Sequence, residues 1–265
     1  MYWNRQILII CGMTGRLMMA KAWYSIIMVC LTFGAGFGQK STEVRDQLWL
    51  GYFNQTRLTT RSGIWTDLHL RLTDHFVQSK SMSILRFGYT YYISDAVRLT
   101  AGYAYVTAYG QAGAPNVPEH RPWQQVQWYE KKKGFSMMQW LRIEERYRTK
   151  VVAGELTDDY NFNWRFRYNI MFMIPLKGTA ITPKIPFLFF NDEIHINAGK
   201  QIVYNYFDQN RLAIGIGYPF TAHLNVQLGY MNVFQQLPAG NQYVNINAIR
   251  LFVFHTLDLR KSTGQ

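Results

Sequence analysis

The chain has 265 residues, an aromatic fraction of 16% and a formal net charge of +12. Its length allows one domain or two small ones, and no run of about 18 apolar residues follows position 40, which excludes an ordinary transmembrane helix there. The basic residues are mostly scattered singly, without zinc-ligand spacing or a helix-turn-helix pattern, so nucleic acid is not an expected partner.

A short apolar segment lies near the start of the chain. Residues 22–38 read AWYSIIMVCLTFGAGFG, with a basic residue before them and small residues towards their end. This pattern predicts a signal peptide over residues 1–38, of which the residues upstream of the apolar segment are read as an overlong gene start; an N-terminal membrane anchor is the alternative. Both cysteines, Cys11 and Cys30, lie within residues 1–38. The predicted mature domain, residues 39–265, therefore has neither a disulfide nor a thiol nucleophile.

Strand-like alternation of apolar and polar residues dominates the rest of the chain. In DYNFNWRFRYNIMFMIP, residues 159–175, the even positions from Tyr160 to Ile174 are all apolar or aromatic, and the odd positions include Arg165 and Arg167. This period of two predicts strands rather than helices. Eleven candidate strands follow in order: 47–55, 64–72, 83–93, 97–105, 123–132, 135–148, 159–175, 181–191, 211–218, 223–234 and 242–257.

The connections between these candidates differ in length. Short turns are expected near 94–96, 132–134, 175–180 and 219–221, and long loops over 110–122, 149–158 and 191–209. Short turns at one end and long loops at the other are typical of outer-membrane barrels.

These patterns together predict the fold class. The candidate strands exceed the five to six residues usual in soluble sheets and match the roughly 9 to 11 needed to cross a bilayer. We predict an all-β protein, an antiparallel transmembrane β-barrel with apolar side chains outside and polar ones in the lumen. A bacterial barrel needs an even number of strands, so we expect 10 or 12, the twelfth lying within 191–209. A secreted sandwich or a lipocalin-like barrel, with the apolar face inside, is the alternative.

Several short motifs resemble a known family. They are EHRPWQQ at 119–125, LRIEERYR at 141–148, FFNDEIHIN at 189–197, FDQNRLAIGIGY at 207–218 and LGYM at 228–231. In this order they resemble a Bacteroidota outer-membrane β-barrel family known as a domain of unknown function (twenty-four ninety). The resemblance covers about 45–257 and implies a Gram-negative outer-membrane barrel, without an activity, a substrate or catalytic residues.

One polar cluster is predicted on the lumen faces of two neighbouring strands. It consists of Arg142, Glu144, Arg146, Arg165 and Arg167. Carboxylate and guanidinium groups at this spacing can form bidentate pairs. Three readings stay open: a salt-bridged filling of a small barrel, an anion-selective constriction, and a binding site for a phosphate or carboxylate group of a lipid or glycan.

Polar groups in two predicted loops form a second set of candidates. They are Glu119, His120 and Arg121 in one loop, and Asp192, Glu193 and His195 in another. Such groups can act as a general base and its orienting partner. Because the predicted mature chain lacks a G-x-S-x-G motif, catalysis is not favoured, and the expected role is to tie the rim together through Glu119 with Arg121 and Asp192 with Arg211. No catalytic residue, metal or cofactor is assigned.

Three functions follow as hypotheses for an outer-membrane protein whose expected partners are lipid and a larger envelope assembly. The first is a structural or accessory barrel with a filled lumen. The second is a small anion-preferring channel that depends on Arg165 and Arg167. The third is a lipid- or glycan-modifying enzyme that depends on Glu119, His120 or Glu144.

Overall fold

The alternating segments of the chain form long strands. The computed structural model describes residues 41–260, which hold eleven strands; the predicted signal peptide lies outside the described residues. No helix among residues 41–260 is long and apolar enough to cross a membrane. The strands are β1 (Ser41–Arg57), β2 (Ser62–Thr73), β3 (Ser79–Tyr92), β4 (Val97–Ala108), β5 (Val117–Lys132), β6 (Phe135–Val152), β7 (Glu155–Pro175), β8 (Phe187–Ala198), β9 (Phe207–Pro219), β10 (Leu224–Gln236) and β11 (Gln242–Asp258).

The strands close into a barrel in chain order. Each strand is antiparallel to the next, and β11 closes the barrel by pairing in parallel with β1, from Ser41 opposite Gln242 to Arg57 opposite Asp258. The expectation of 10 or 12 strands is therefore wrong, because the described residues contain eleven. An even number is needed only when the first and last strands are antiparallel, and a parallel closing pair removes that requirement.

The expected loop pattern is correct only in part: the connections near 94–96, 132–134 and 219–221 are short, whereas 176–186 is the longest connection in the described chain and 153–154 is a two-residue turn. We call the end of the barrel where Ser41 lies the Ser41 end, and the opposite end the Arg260 end. The connections at the Ser41 end are 74–78, 109–116, 153–154, 199–206 and 237–241. The connections at the Arg260 end are 58–61, 93–96, 133–134, 176–186 and 220–223. Both ends mix short and long connections. The expected twelfth strand is absent from the described chain, because β8 and β9 take the two ends of 191–209 and leave 199–206 as a loop.

One predicted long loop is a tight hairpin. Residues 149–158 turn at Ala153 and Gly154, whose φ angles are 51° and 86°. Positive φ at both central residues matches the right-handed twist of the flanking strands, so β6 and β7 continue almost to the turn.

The two faces of the barrel wall differ in polarity as the alternation predicts. On β7, Arg165 and Arg167 point inward and are 6% and 8% exposed, whereas Phe166 between them points outward and is 43% exposed. The same parity holds on β3, where Arg86 is buried and Phe87 is exposed. The predicted apolar outer face is confirmed, and the predicted polar lumen is confirmed for the part of the interior that these arginines line.

Aromatic rings fill one part of the interior. Phe187 and Phe189 of β8 are each 1% exposed and lie against glycines on neighbouring strands. A Cβ added to Gly217 would lie 2.1 Å from the Phe187 ring, and one added to Gly215 or Gly229 would lie 2.7 Å from Phe189. These positions need glycine because the rings occupy the space of a side chain.

Candidate functional site

The predicted polar cluster lies on the inner wall of the barrel. Arg142 and Glu144 of β6 stand opposite Arg167 and Arg165 of β7, and all four side chains are buried. They share the inward face because residues two apart on a strand point the same way. The neighbouring Arg146 is also inward-facing and lies against Glu119 of β5.

Glu144 is the central acceptor of this cluster. Its carboxylate is fully buried and lies 2.6 Å from Nη1 of Arg167, 3.4 Å from Nη1 of Arg121 and 3.8 Å from Nη1 of Arg142. Arg142 also donates from Nε to the side-chain oxygen of Gln125 at 2.8 Å. One carboxylate therefore holds guanidinium groups from three strands, which crosslinks β5, β6 and β7.

Two more carboxylates extend the network around the wall. Glu193 of β8 pairs with Arg167, lies 3.4 Å from Nη1 of Arg211 on β9, and lies 2.9 Å from Nε2 of His195. Asp208 of β9 lies 2.8 Å from Nη2 of Arg165. The ion pairs thus run without a break from β5 to β9.

The residues predicted at loops lie in strands instead. Glu119, His120 and Arg121 belong to β5, and Asp192 and Glu193 belong to β8. Glu119, Arg121 and Glu193 point inward and join the lumen network. Arg121 donates to Glu119 at 2.6 Å. Their predicted position in loops is wrong because β5 and β8 extend into the segments read as loops, but the expected pair of Glu119 with Arg121 forms.

Neighbouring members of these groups point to opposite sides of the wall. His120 faces outward, where its ring nitrogen bonds the hydroxyl of Tyr103 and its ring lies 5.9 Å from that of Tyr160. Glu119 faces the lumen, so the acid and the imidazole suggested for catalysis do not meet. Asp192 also faces outward and accepts a hydrogen bond from Asn210 at 2.6 Å, rather than pairing with Arg211.

A second buried group was not identified as a site from the sequence. Asp67 of β2 is fully buried; Nη1 of Arg86 donates to both of its oxygens at 2.9 Å, and Nε1 of Trp65 donates at 2.5 Å. His69 lies 3.0 Å from the same carboxylate. Alternation places Asp67 and His69 in the lumen, but only the pairing of β2 with β3 brings Arg86 to them.

The network surrounds a cavity of about 420 Å³ inside the barrel. Ten arginine side chains line it, and only five carboxylates in the described chain form ion pairs with these arginines. Three of the ten have no carboxylate within 4.0 Å among residues 41–260: Arg71, Arg148 and Arg250. The cavity wall therefore carries an excess of five positive charges.

The opposite part of the lining is apolar. Trp49 of β1, Met231 of β10, and Ile246 and Phe252 of β11 belong to one buried cluster and also line the cavity. The lumen thus combines a guanidinium-rich wall with a hydrophobic one. A cavity of this kind can hold an anion that has an apolar part.

Comparison with known proteins identifies a family without an assigned activity. Residues 46–244 match the family model described as "Protein of unknown function (DUF2490)". No curated protein and no solved structure matches the chain. Within the described chain, no group of three or more His, Cys, Asp and Glu residues is placed to hold a metal ion.

Proposed function

The chain belongs to the DUF2490 family, and from its fold we propose that it is an outer-membrane β-barrel with a structural or accessory role in the cell envelope. The observation that carries this proposal is the reversal of polarity across the wall. Charged groups are buried in the lumen, while large apolar side chains such as Leu228 and Ile214 are 56% and 57% exposed on the outside. A water-soluble barrel would bury the apolar face, whereas lipid favours this arrangement.

Polar residues border the apolar outer surface. On β1 the outward side chains Leu48, Leu50 and Tyr52 lie between Asp46 and Asn54. On β11 the outward Ile249, Leu251 and Val253 lie between Asn247 and His255. A band limited on both sides by polar groups fits a hydrocarbon layer limited by headgroups, and the closed sheet leaves no unpaired strand edge in that layer. On β7 the band is taller, from Trp164 to Ile174.

The side chains that cross the lumen leave a cavity of about 420 Å³, and they support a structural rather than a conducting role. Ion pairs cross β5 to β9, and the rings of Phe187 and Phe189 occupy the space beside β9 and β10. Small barrels are generally filled by side chains in this way. An accessory barrel of this kind would contact outer-membrane lipid and a larger envelope assembly. Crosslinking in whole cells, followed by affinity purification, tests for that assembly.

Membrane location is tested by cell fractionation and a heat-modifiability gel. We expect the protein in the outer-membrane fraction, with faster migration before boiling than after, because a closed barrel resists detergent. Recovery as a soluble periplasmic protein with no mobility shift would overturn the proposal.

A small anion-preferring channel is the second candidate, and the excess of arginine around the cavity favours it. Planar-bilayer recording separates the two functions. The structural role predicts no stepwise conductance. The channel role predicts anion-selective conductance that falls when Arg165 and Arg167 are replaced by glutamine.

A further inference from the structure

One lumen arginine has no polar partner. The Arg71 guanidinium of β2 stacks on the ring of Trp49 at 3.5 Å, and it forms no hydrogen bond or ion pair within residues 41–260. Its Nε is buried and has no acceptor. A guanidinium group shielded from water needs an anion or several acceptors. Arg71 is half-buried and lacks the acceptors that the buried lumen arginines have, whereas Arg148, which is also unpaired within residues 41–260, is exposed to water.

A second guanidinium lies against the same indole. The guanidinium carbon of Arg211 on β9 is 5.0 Å from the centre of the Trp49 ring. Its nearest carboxylate, Glu193 at 3.4 Å, is held more closely by Arg167 and His195. Arg71 and Arg211 thus present two cations around one aromatic ring with little anionic charge of their own.

The space beside these cations is part of the cavity. Both arginines line it, and so do Met231 and Ile246 from the adjoining apolar cluster. Its volume of about 420 Å³ lies within the 300 to 1,000 Å³ typical of small-molecule sites. The arrangement offers charge for an acidic headgroup and a hydrophobic surface for the remainder of the same molecule.

We propose that the lumen binds an amphiphilic anion, whose carboxylate or phosphate headgroup lies between Arg71 and Arg211 and whose apolar part packs against Trp49, Met231 and Ile246. The headgroup supplies the acceptors that Arg71 lacks, and guanidinium groups bind both acid types through paired hydrogen bonds. The site depends on the closed lumen and not on the membrane location, so the two proposals can fail separately.

Isothermal titration of the purified full-length barrel in a non-ionic detergent tests this site. The probes are dodecanoate, dodecyl phosphate, dodecanol and inorganic phosphate, each corrected by titration into micelles alone. We expect one or both acidic amphiphiles to bind with one-to-one stoichiometry, and the stronger of the two identifies the headgroup. Equal binding of dodecanol, equal binding of inorganic phosphate, or no binding of either acidic amphiphile would overturn the proposal.

Two variants locate the binding. Arg71→Gln should lower the affinity for the acidic amphiphile by about tenfold or more, which is the loss expected for one charge-assisted hydrogen-bonding group. Arg98→Gln is the matched control, because Arg98 also faces inward but bonds Gln55 and does not line the cavity. Unchanged affinity in Arg71→Gln, or the same loss in both variants, contradicts the assignment.

The same variants separate ligand binding from a structural role. Within the described chain Arg71 forms no ion pair or hydrogen bond and only stacks on Trp49, so Arg71→Gln without ligand should keep the heat-modifiable form and unfold at a urea concentration close to that of the unmodified barrel. An Arg71→Gln barrel that fails to fold, or that unfolds at a much lower urea concentration, would show that Arg71 supports the wall and would refute its role as a ligand group.

Discussion

Replacing Glu144 with glutamine tests whether the lumen network holds the barrel together. Glu144→Gln keeps the shape of the side chain and removes one fully buried negative charge. The guanidinium groups of Arg167, Arg121 and Arg142 lie 2.6, 3.4 and 3.8 Å from that carboxylate. Arg167 retains Glu193 and Arg121 retains Glu119, whereas Arg142 retains only the amide of Gln125.

Removing one partner of a buried ion pair typically lowers the free energy of unfolding by about 3–5 kcal/mol, because the remaining charge stays desolvated. The amide oxygen of glutamine can still accept one hydrogen bond, and two of the three arginines keep another carboxylate. We therefore expect a loss of about 3 kcal/mol in the free energy of unfolding, or roughly a hundredfold in the folding equilibrium.

Urea unfolding of the barrel in detergent micelles measures this loss, with the unboiled gel shift as the probe of the closed form. Glu145→Gln is the control, because the neighbouring carboxylate faces outward on the same strand and forms no ion pair within the described residues. A Glu144→Gln barrel within about 1 kcal/mol of the unmodified protein would refute the reasoning. A loss of the same size in Glu145→Gln would refute it as well.

Three further predictions follow from the wall and its connections. Gly217→Ala places a Cβ 2.1 Å from the Phe187 ring and should destabilise the barrel by about 1–3 kcal/mol in the same urea assay, with partial recovery when Phe187→Leu is added. Leu228→Arg puts a charge in the outer apolar band and should cost about 2–4 kcal/mol, seen as a lower yield of the heat-modifiable form, whereas Leu259→Arg beyond β11 should have little effect. Single cysteines at Ala112 and Thr221 lie in connections at opposite ends of the barrel, so a membrane-impermeant maleimide should label only one of them in intact cells; equal labelling of both would contradict a spanning barrel.

The inward and outward faces of the barrel wall were largely predictable because they follow from the alternation of neighbouring residues. Each strand contacts a polar interior and an apolar exterior, so polarity alternates at a period of two, as it does from Tyr160 to Ile174. The inward direction of Arg142, Glu144, Arg165 and Arg167 follows from that parity alone.

Strand limits were less predictable where the sequence contains residues that are unusual in strands. Pro118 and Pro122 lie inside β5, although proline is normally confined to strand edges and bulges because it lacks an N–H donor. The β5–β6 pairing omits Arg121 and Pro122 but resumes at Trp123 in the same register, so the strand continues past the missing donor. On β8 Asp192 and Glu193 were read as part of a loop, although they alternate across the wall like their neighbours.

The unpaired arginine could not be predicted from the sequence. Parity places Arg71 in the lumen, but its environment is set by Trp49 on β1 and Arg211 on β9. The pairing of β1 with β2 sets Arg71 opposite Trp49, whereas Arg211 reaches them only when the barrel closes. The strand count was wrong for the same reason, since the parallel pairing of β1 with β11 has no signal in either strand.

The parallel closing pair also sets the order in which the barrel can fold. Ten of the eleven strand pairings join consecutive strands and can form as hairpins, whereas the pairing of Ser41 with Gln242 and its neighbours spans nearly the whole described chain. Contacts of such high sequence separation carry the largest loop-closure entropy and slow folding most. We therefore expect the pairing of β1 with β11 to be the last and rate-limiting step of folding. Until that step the protein is an open curved sheet, and the edges of β1 and β11 are exposed.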